Sequence, residues 1–127
     1  MKTYKVYEEF RIRMPVSRTE LLQGTLDLLI LQTVALGPSH GYAINQRIMQ
    51  ISRDALQVQQ GSLYPALHRL EERGLLDCEW RETEGGRMAK FYSLTRSGRK
   101  QLEAERSNWE RVSTAIGLIL ATRPGEA

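Results

Sequence analysis

Residues 60–74, QGSLYPALHRLEERG, read as one short helix with a definite start and stop, the stretch around which the chain is organised. Leu63, Leu67 and Leu70 recur at i, i+4 and i+7, one stripe of a 3.6-residue helix. At about 100° per residue, the opposite arc carries Ser62, Pro65, His68, Arg69 and Glu72. Pro65 lacks a backbone N–H and belongs in a first turn, which predicts a start near Gly61 or Ser62. Gly74 stands where a left-handed C-terminal cap is needed. A one-sided helix with hydroxyl, imidazole and guanidinium groups outward has the chemistry of a major-groove reader. An ordinary amphipathic helix with a solvated outer face has the same pattern, so the flanking segments must decide.

The chain has 127 residues, enough for one core and not for two. Its formal charge of +3 permits an anionic partner without demanding one. A single cysteine, Cys78, excludes an internal disulfide and points to a reducing compartment, the cytoplasm. No stretch reads as a signal peptide, and the longest apolar run, LDLLILQTVAL, is too short to span a bilayer.

Upstream of the central helix, Ser17 to Gly37 reads as a first helix, with Ser17 and Glu20 at capping-box spacing. Leu22, Leu26, Leu29, Ile30 and Leu36 line one side, and Leu21, Leu28 and Leu31 much of the other, as in a helix sandwiched within a core. Gly37-Pro38 ends it, and Ser39 is the expected N-cap of a second helix, HGYAINQRIMQIS, with Ile44, Ile48 and Ile51 as its buried stripe. A connector over 53–59 then leads into the central helix, a helix-turn-helix order. Residues 1–16 stand apart: Phe10, Ile12 and Met14 alternate with arginines before Pro15. Either Met14 is the true start, or the segment is an arm that packs on a partner subunit or reaches DNA.

Downstream the period changes to two. Leu76, Cys78 and Trp80 alternate with Asp77, Glu79 and Arg81, Gly85-Gly86 gives a turn, and MAKFYSL returns as a second strand. With Arg81, Arg87 and Lys90 flanking its tip, this hairpin is expected to be a wing that meets the sugar-phosphate backbone, with Trp80 and Cys78 on its inner, core side. A last helix, capped by Thr95 or Ser97, runs to about Leu120. Leu102, Trp109, Val112, Ile116 and Ile119 form a heptad seam with one skipped position at Glu105, suited to the same helix of a second copy. Residues 122–127 are expected to fray. The fold class is therefore mostly α with a small β-hairpin: a winged helix-turn-helix over 17–94 and a dimerisation helix over 95–121.

LLQGTLDLLILQTVALGPSHGYAI, GSLYPALHRLEERGLL and GGRMAKFYSLTRSGRKQL, in that order, resemble the PadR family of winged-helix transcriptional regulators. The resemblance covers roughly 21–102, with the single C-terminal helix of the family's short form. It implies a dimeric DNA-binding repressor. It also implies that His40, Gly41 and Tyr42 match the family's HGY turn, that Gly61 to Pro65 match its GSLYP block, and that Arg87 and Lys90 match the wing cations. Residues 1–16 have no counterpart in the short pattern, which favours Met14 as the start.

The expected DNA-facing set is His40, Tyr42, Ser62, Tyr64, Pro65, His68, Arg69, Arg87 and Lys90, with Arg69 as the foremost base reader. Trp109 either fills the seam or walls a pocket for a small aromatic or apolar effector. No metal, cofactor or enzymatic activity is expected. His40, His68 and Cys78 have no metal-ligand spacing, there is no nucleophile–base pair, and no glycine loop cradles phosphate. The competing reading is a winged helix used as a protein-interaction module, which the clustering of Arg69, Arg87 and Lys90 argues against.

Overall fold

The computed structural model describes residues 23–126. Helix α1 (Gln23–Ala35) is followed by strand β1 (Ser39–His40), helices α2 (Gly41–Ile51) and α3 (Gln60–Glu72), strands β2 (Leu76–Glu82) and β3 (Met88–Leu94), and helix α4 (Arg96–Ala121). The strands form one antiparallel sheet in the order β1-β3-β2. This is the expected winged helix, with one strand more than the hairpin read from the sequence.

Helix α1 is apolar around most of its surface because it is packed on several sides, against α2, α3, β3 and α4. Leu26, Ile30, Leu31 and Val34 are buried with Ile44, Ile48 and the three leucines of α3 in one cluster. The proposed Ser17 cap and its capping box lie outside the described residues. Leu36, expected on the buried side, is exposed, since the chain has already left the helix there.

Three local expectations change. Ser39 does not cap α2; it pairs with Tyr92 in the sheet, and the cap is His40, whose Nδ1 accepts from the Ala43 amide at 3.3 Å. Ile51, the last residue of α2, is exposed, because the chain turns away through left-handed Arg53 and Asp54. The connector is tied to the core by Val58, buried, whose amide donates to Asn45 Oδ1 at 3.1 Å.

Helix α3 begins at Gln60, so Pro65 stands in its second turn rather than its first. Gly61 and Pro65 are both exposed, and solvent can serve the carbonyl that proline leaves without a donor. The stop is as expected: Gly74 is left-handed, its amide bonds Glu71 O and that of Leu75 bonds Leu70 O. The chain then enters β2, and Thr95 closes the next corner. Its hydroxyl donates to Gly74 O at 2.7 Å and accepts from Gly98 N at 2.9 Å, capping α4. Gly98 is required here, since a Cβ would lie 2.1 Å from Leu75 O. Beyond Ala121, Arg123 N donates to Glu126 Oε1 in a turn.

Candidate nucleic-acid interface

The two blocks HGY and GSLYP form one joint. Tyr64, on α3, lays its ring over Gly41 at the start of α2 so closely that a Cβ there would be 2.7 Å from the ring edge. His40 caps α2, meets Phe91 edge-on at 5.2 Å and stacks at 6.5 Å from Tyr42. Of these residues, Tyr42 and Tyr64 are exposed while His40 is half-buried. His40 therefore sets the angle of α2, and the tyrosines present the surface. The sequence showed these residues without showing that they touch.

On the outer arc of α3, Pro65 and His68 are exposed and Ser62 is half-buried. His68 Nε2 lies 2.7 Å from Glu72 Oε1 one turn on, a pair open to solvent. Arg69 stands at the edge of this arc, on the stripe of Ser62 seven residues before it. Its Nη2 donates to Asp27 Oδ1 of α1 at 2.6 Å, with its side chain one-third exposed. Asp27 is buried, and its second oxygen lies 4.0 Å from Arg73 Nη1. The ion pair turns the Arg69 guanidinium toward α1 and a buried carboxylate. Asp27, read in the sequence only as an interruption of an apolar run, is the missed partner.

The wing corrects two further expectations. Lys90 is not a free cation: its Nζ donates to Glu71 Oε1 of α3 at 2.8 Å and stands 5.6 Å over the Tyr92 ring. Cys78 Sγ donates to the other oxygen of the same carboxylate at 3.0 Å. The Lys90 and Cys78 hydrogen bonds hold the Glu71 carboxyl below the ordinary glutamate value. The same carboxylate raises the Cys78 thiol and the Lys90 ammonium, while burial raises the Tyr92 phenol. Cys78 is thus a half-buried hydrogen-bond donor at the edge of the core.

Trp80, expected inward, is 63% exposed. It does lie on the helix-facing side of the ribbon with Cys78, but β2 runs out past α3 and nothing among the described residues covers it. Register pairs it with Lys90. Trp80, Lys90, Tyr42 and Tyr64 line a groove of about 420 Å³ between wing and helix. At the tip, Thr83 N bonds Arg87 O across a turn with left-handed Gly86, and Arg87 is exposed. Arg81 lies 4.8 Å over Phe91 and 3.7 Å from Glu79.

Along α4, Leu102 is buried in the chain's own core, so it has no surface to give a partner and leaves the expected seam. Trp109, Val112, Ile116 and Ile119 are all exposed, as are Leu118 and Leu120. Trp109, Val112 and Ile116 wall a groove of about 440 Å³ with Gly24, Thr25 and Leu28 of α1. Among the described residues no cluster of histidine, cysteine or acid could hold a metal, and no helix is long and apolar enough to cross a membrane.

Residues 30–104 match the sequence profile of the Transcriptional regulator PadR-like family. The chain is 35% identical to the transcriptional regulator Rv3488 of Mycobacterium tuberculosis over 97 residues, 76% of this chain and 87% of that one. Its fold is similar to smu.1704 of Streptococcus mutans, at 33% identity and TM-score 0.72, covering 87% and 95% of the two chains. It is also similar to a PadR-like transcriptional regulator of Bacillus cereus, at 27% identity and TM-score 0.70, covering 81% and 98%. Proteins of this family regulate transcription and are not enzymes. With three sequence blocks, the winged fold and these likenesses in agreement, the chain belongs to the PadR-like family of transcriptional regulators.

Proposed function

We propose that this chain is a homodimeric repressor that binds a palindromic operator and releases it when a small aromatic or apolar effector enters the dimer. The carrying observation is the distal half of α4, where Trp109, Val112, Ile116 and Ile119 lie exposed on one stripe. Among the described residues α1 borders that stripe along one side and leaves it open, and large exposed apolar patches mark interfaces. A second copy on the stripe gives a two-fold dimer, which presents two α3 helices about one helical turn apart, roughly 34 Å. Tyr42, Ser62, Tyr64, Pro65 and His68 then face the major groove, and Arg87 meets phosphates beside it. The α1–α4 groove is the effector site in this reading, with Trp109 as its flat wall. A regulator of this kind works in the cytoplasm.

Selection of duplexes from a randomised pool, followed by footprinting, tests the proposal. The expected result is a symmetric site with two protected half-sites one turn apart. If no selected duplex binds more tightly than a scrambled one, the operator reading fails and the protein-interaction reading takes its place. Small planar aromatics added to the complex should release the duplex and change Trp109 fluorescence.

A further inference from the structure

Most of what joins α3 to the rest of the molecule is apolar, and apolar contact is tolerant of small rotations. Among the described residues two polar links are the exceptions: Glu71 to Lys90 and Cys78 of the wing, and Asp27 of α1 to Arg69, 2.6 Å apart, with Arg73 4.0 Å from the other carboxylate oxygen. Arg69 and Arg73 are one turn apart on α3, so Asp27 faces one stripe of the helix at two heights. Asp27 is only 6% exposed and carries its charge inside an otherwise apolar stretch of α1. Arg69 Nε is buried with no hydrogen-bond partner among the described residues. Such a pair is a poor stabiliser, because desolvation offsets the attraction and an apolar pair of similar volume does as well. What it gives that leucine cannot is direction.

We infer that Asp27 is a positioning residue for DNA recognition: through Arg69 it fixes the rotation of α3 about its own axis, and with it the aim of Ser62, Pro65 and His68. The inference rests on the reading that α3 enters the major groove. The geometry makes the aim sensitive, since side-chain tips lie about 6 Å from a helix axis and a rotation of about 10° moves them by roughly 1 Å. Hydrogen bonds to base edges weaken over such a shift, whereas flexible cations follow a phosphate across it. Losing the lock therefore lowers specific binding and spares nonspecific binding. Asp27, being buried in α1, cannot itself touch DNA.

The test uses the full chain, the duplex that wild type selects from a random pool, and a scrambled duplex of equal composition. Asp27→Asn should lower the ratio of the two affinities by roughly tenfold, the effect of about one lost base contact. It should leave scrambled binding unchanged or slightly tighter, because Arg69 gains freedom to find phosphates. Arg69→Met added to Asp27→Asn should cost little further discrimination, since the two act as one unit. The apolar pair Asp27→Leu with Arg69→Met should fold with a melting temperature at or above that of wild type and still discriminate poorly. That variant decides the matter should Asp27→Asn fold badly. A folded Asp27→Asn protein that keeps the wild-type ratio overturns the inference, and so do losses at Asp27 and Arg69 that multiply. A wild-type protein with no preference for any selected duplex overturns the operator reading instead.

Discussion

Helix α3 and the distal half of α4 carry apolar stripes of the same period, and the molecule treats them oppositely. Leu63, Leu67 and Leu70 on α3 are fully buried against the chain itself. Trp109, Val112, Ile116 and Ile119 on α4 face outward, from 42% exposed at Val112 to 73% at Ile119. The difference is one of reach. Helix α4 is 26 residues, about 39 Å long, and among the described residues its buried positions are Gly98 and Leu102, both in its first two turns. Periodicity announces that a stripe will be covered; the geometry of the rest of the chain decides whether the cover is internal.

The sharpest way to break this contrast is a charge on each stripe's apolar position. Leu67→Asp should leave no folded winged unit, because a buried unpaired charge adds to a truncation loss of roughly 2–5 kcal/mol. Ile116→Asp should leave the winged unit folded, yield a monomer and abolish operator binding, with light scattering and a DNA titration as readouts. An Ile116→Asp protein that stays dimeric, or binds as wild type does, removes the seam.

Gly98 and Gly117 stand on either side of the boundary between the two regimes on α4 itself. A Cβ at Gly98 meets the Leu75 carbonyl at 2.1 Å, so Gly98→Ala must push the start of α4 away from β2. The expected loss is about 1–3 kcal/mol, the range for overpacking a filled site. Gly117→Ala, on the distal half, has open space around its Cβ and should be neutral or stabilising as a helix-propensity gain. Equal melting temperatures for the two variants would show that α4 has no such boundary.

The same contrast explains what the sequence could reveal. The stripes, the Gly74 stop, the two wing strands and the capping threonine of α4 follow from local periodicity and cap chemistry. Strand β1 did not, because two residues have no period and its partner Tyr92 lies 53 positions downstream of Ser39. Trp80 follows the alternation of β2 faithfully; only the length of the ribbon relative to α3 exposes it. Arg69 and Lys90 are paired for one shared reason that the pattern does not carry: each is an outward-looking cation by spacing, and each meets an acid from another element, Asp27 or Glu71. Long-range ion pairs leave no trace in periodicity. Arg87, exposed at the tip, is thus the wing cation expected to act on phosphate. Arg87→Ala should weaken operator and scrambled DNA alike and reduce the slope of log affinity against log salt by about one. Lys90→Ala should change that slope less than Arg87→Ala does, and the reverse order would restore Lys90 to the backbone.

The smallest expected effect concerns how the wing is held to α3. Glu71 accepts from Lys90 Nζ and Cys78 Sγ, so its folded carboxyl is depressed below its unfolded value. The sign follows: stability from ionised Glu71 is present above the unfolded value, about 4.3, and is lost as pH falls through the lower folded value. Lys90 and Cys78, both raised, contribute stability that fades only as pH rises through their own folded values. Glu71→Gln should therefore cost roughly 0.5–1.5 kcal/mol at neutral pH, with the gap to wild type closing in acid. Denaturant titrations of both proteins across the acid range measure it, and a gap that stays constant with pH would refute the assignment. The thiol gives an independent readout. With the carboxylate gone, the Cys78 thiolate no longer faces a negative charge and keeps the Lys90 ammonium nearby. Iodoacetamide should accordingly alkylate Cys78 faster in folded Glu71→Gln than in folded wild type at the same pH. Equal rates would mean that the carboxylate does not govern the thiol, and that the wing is held to α3 by packing alone.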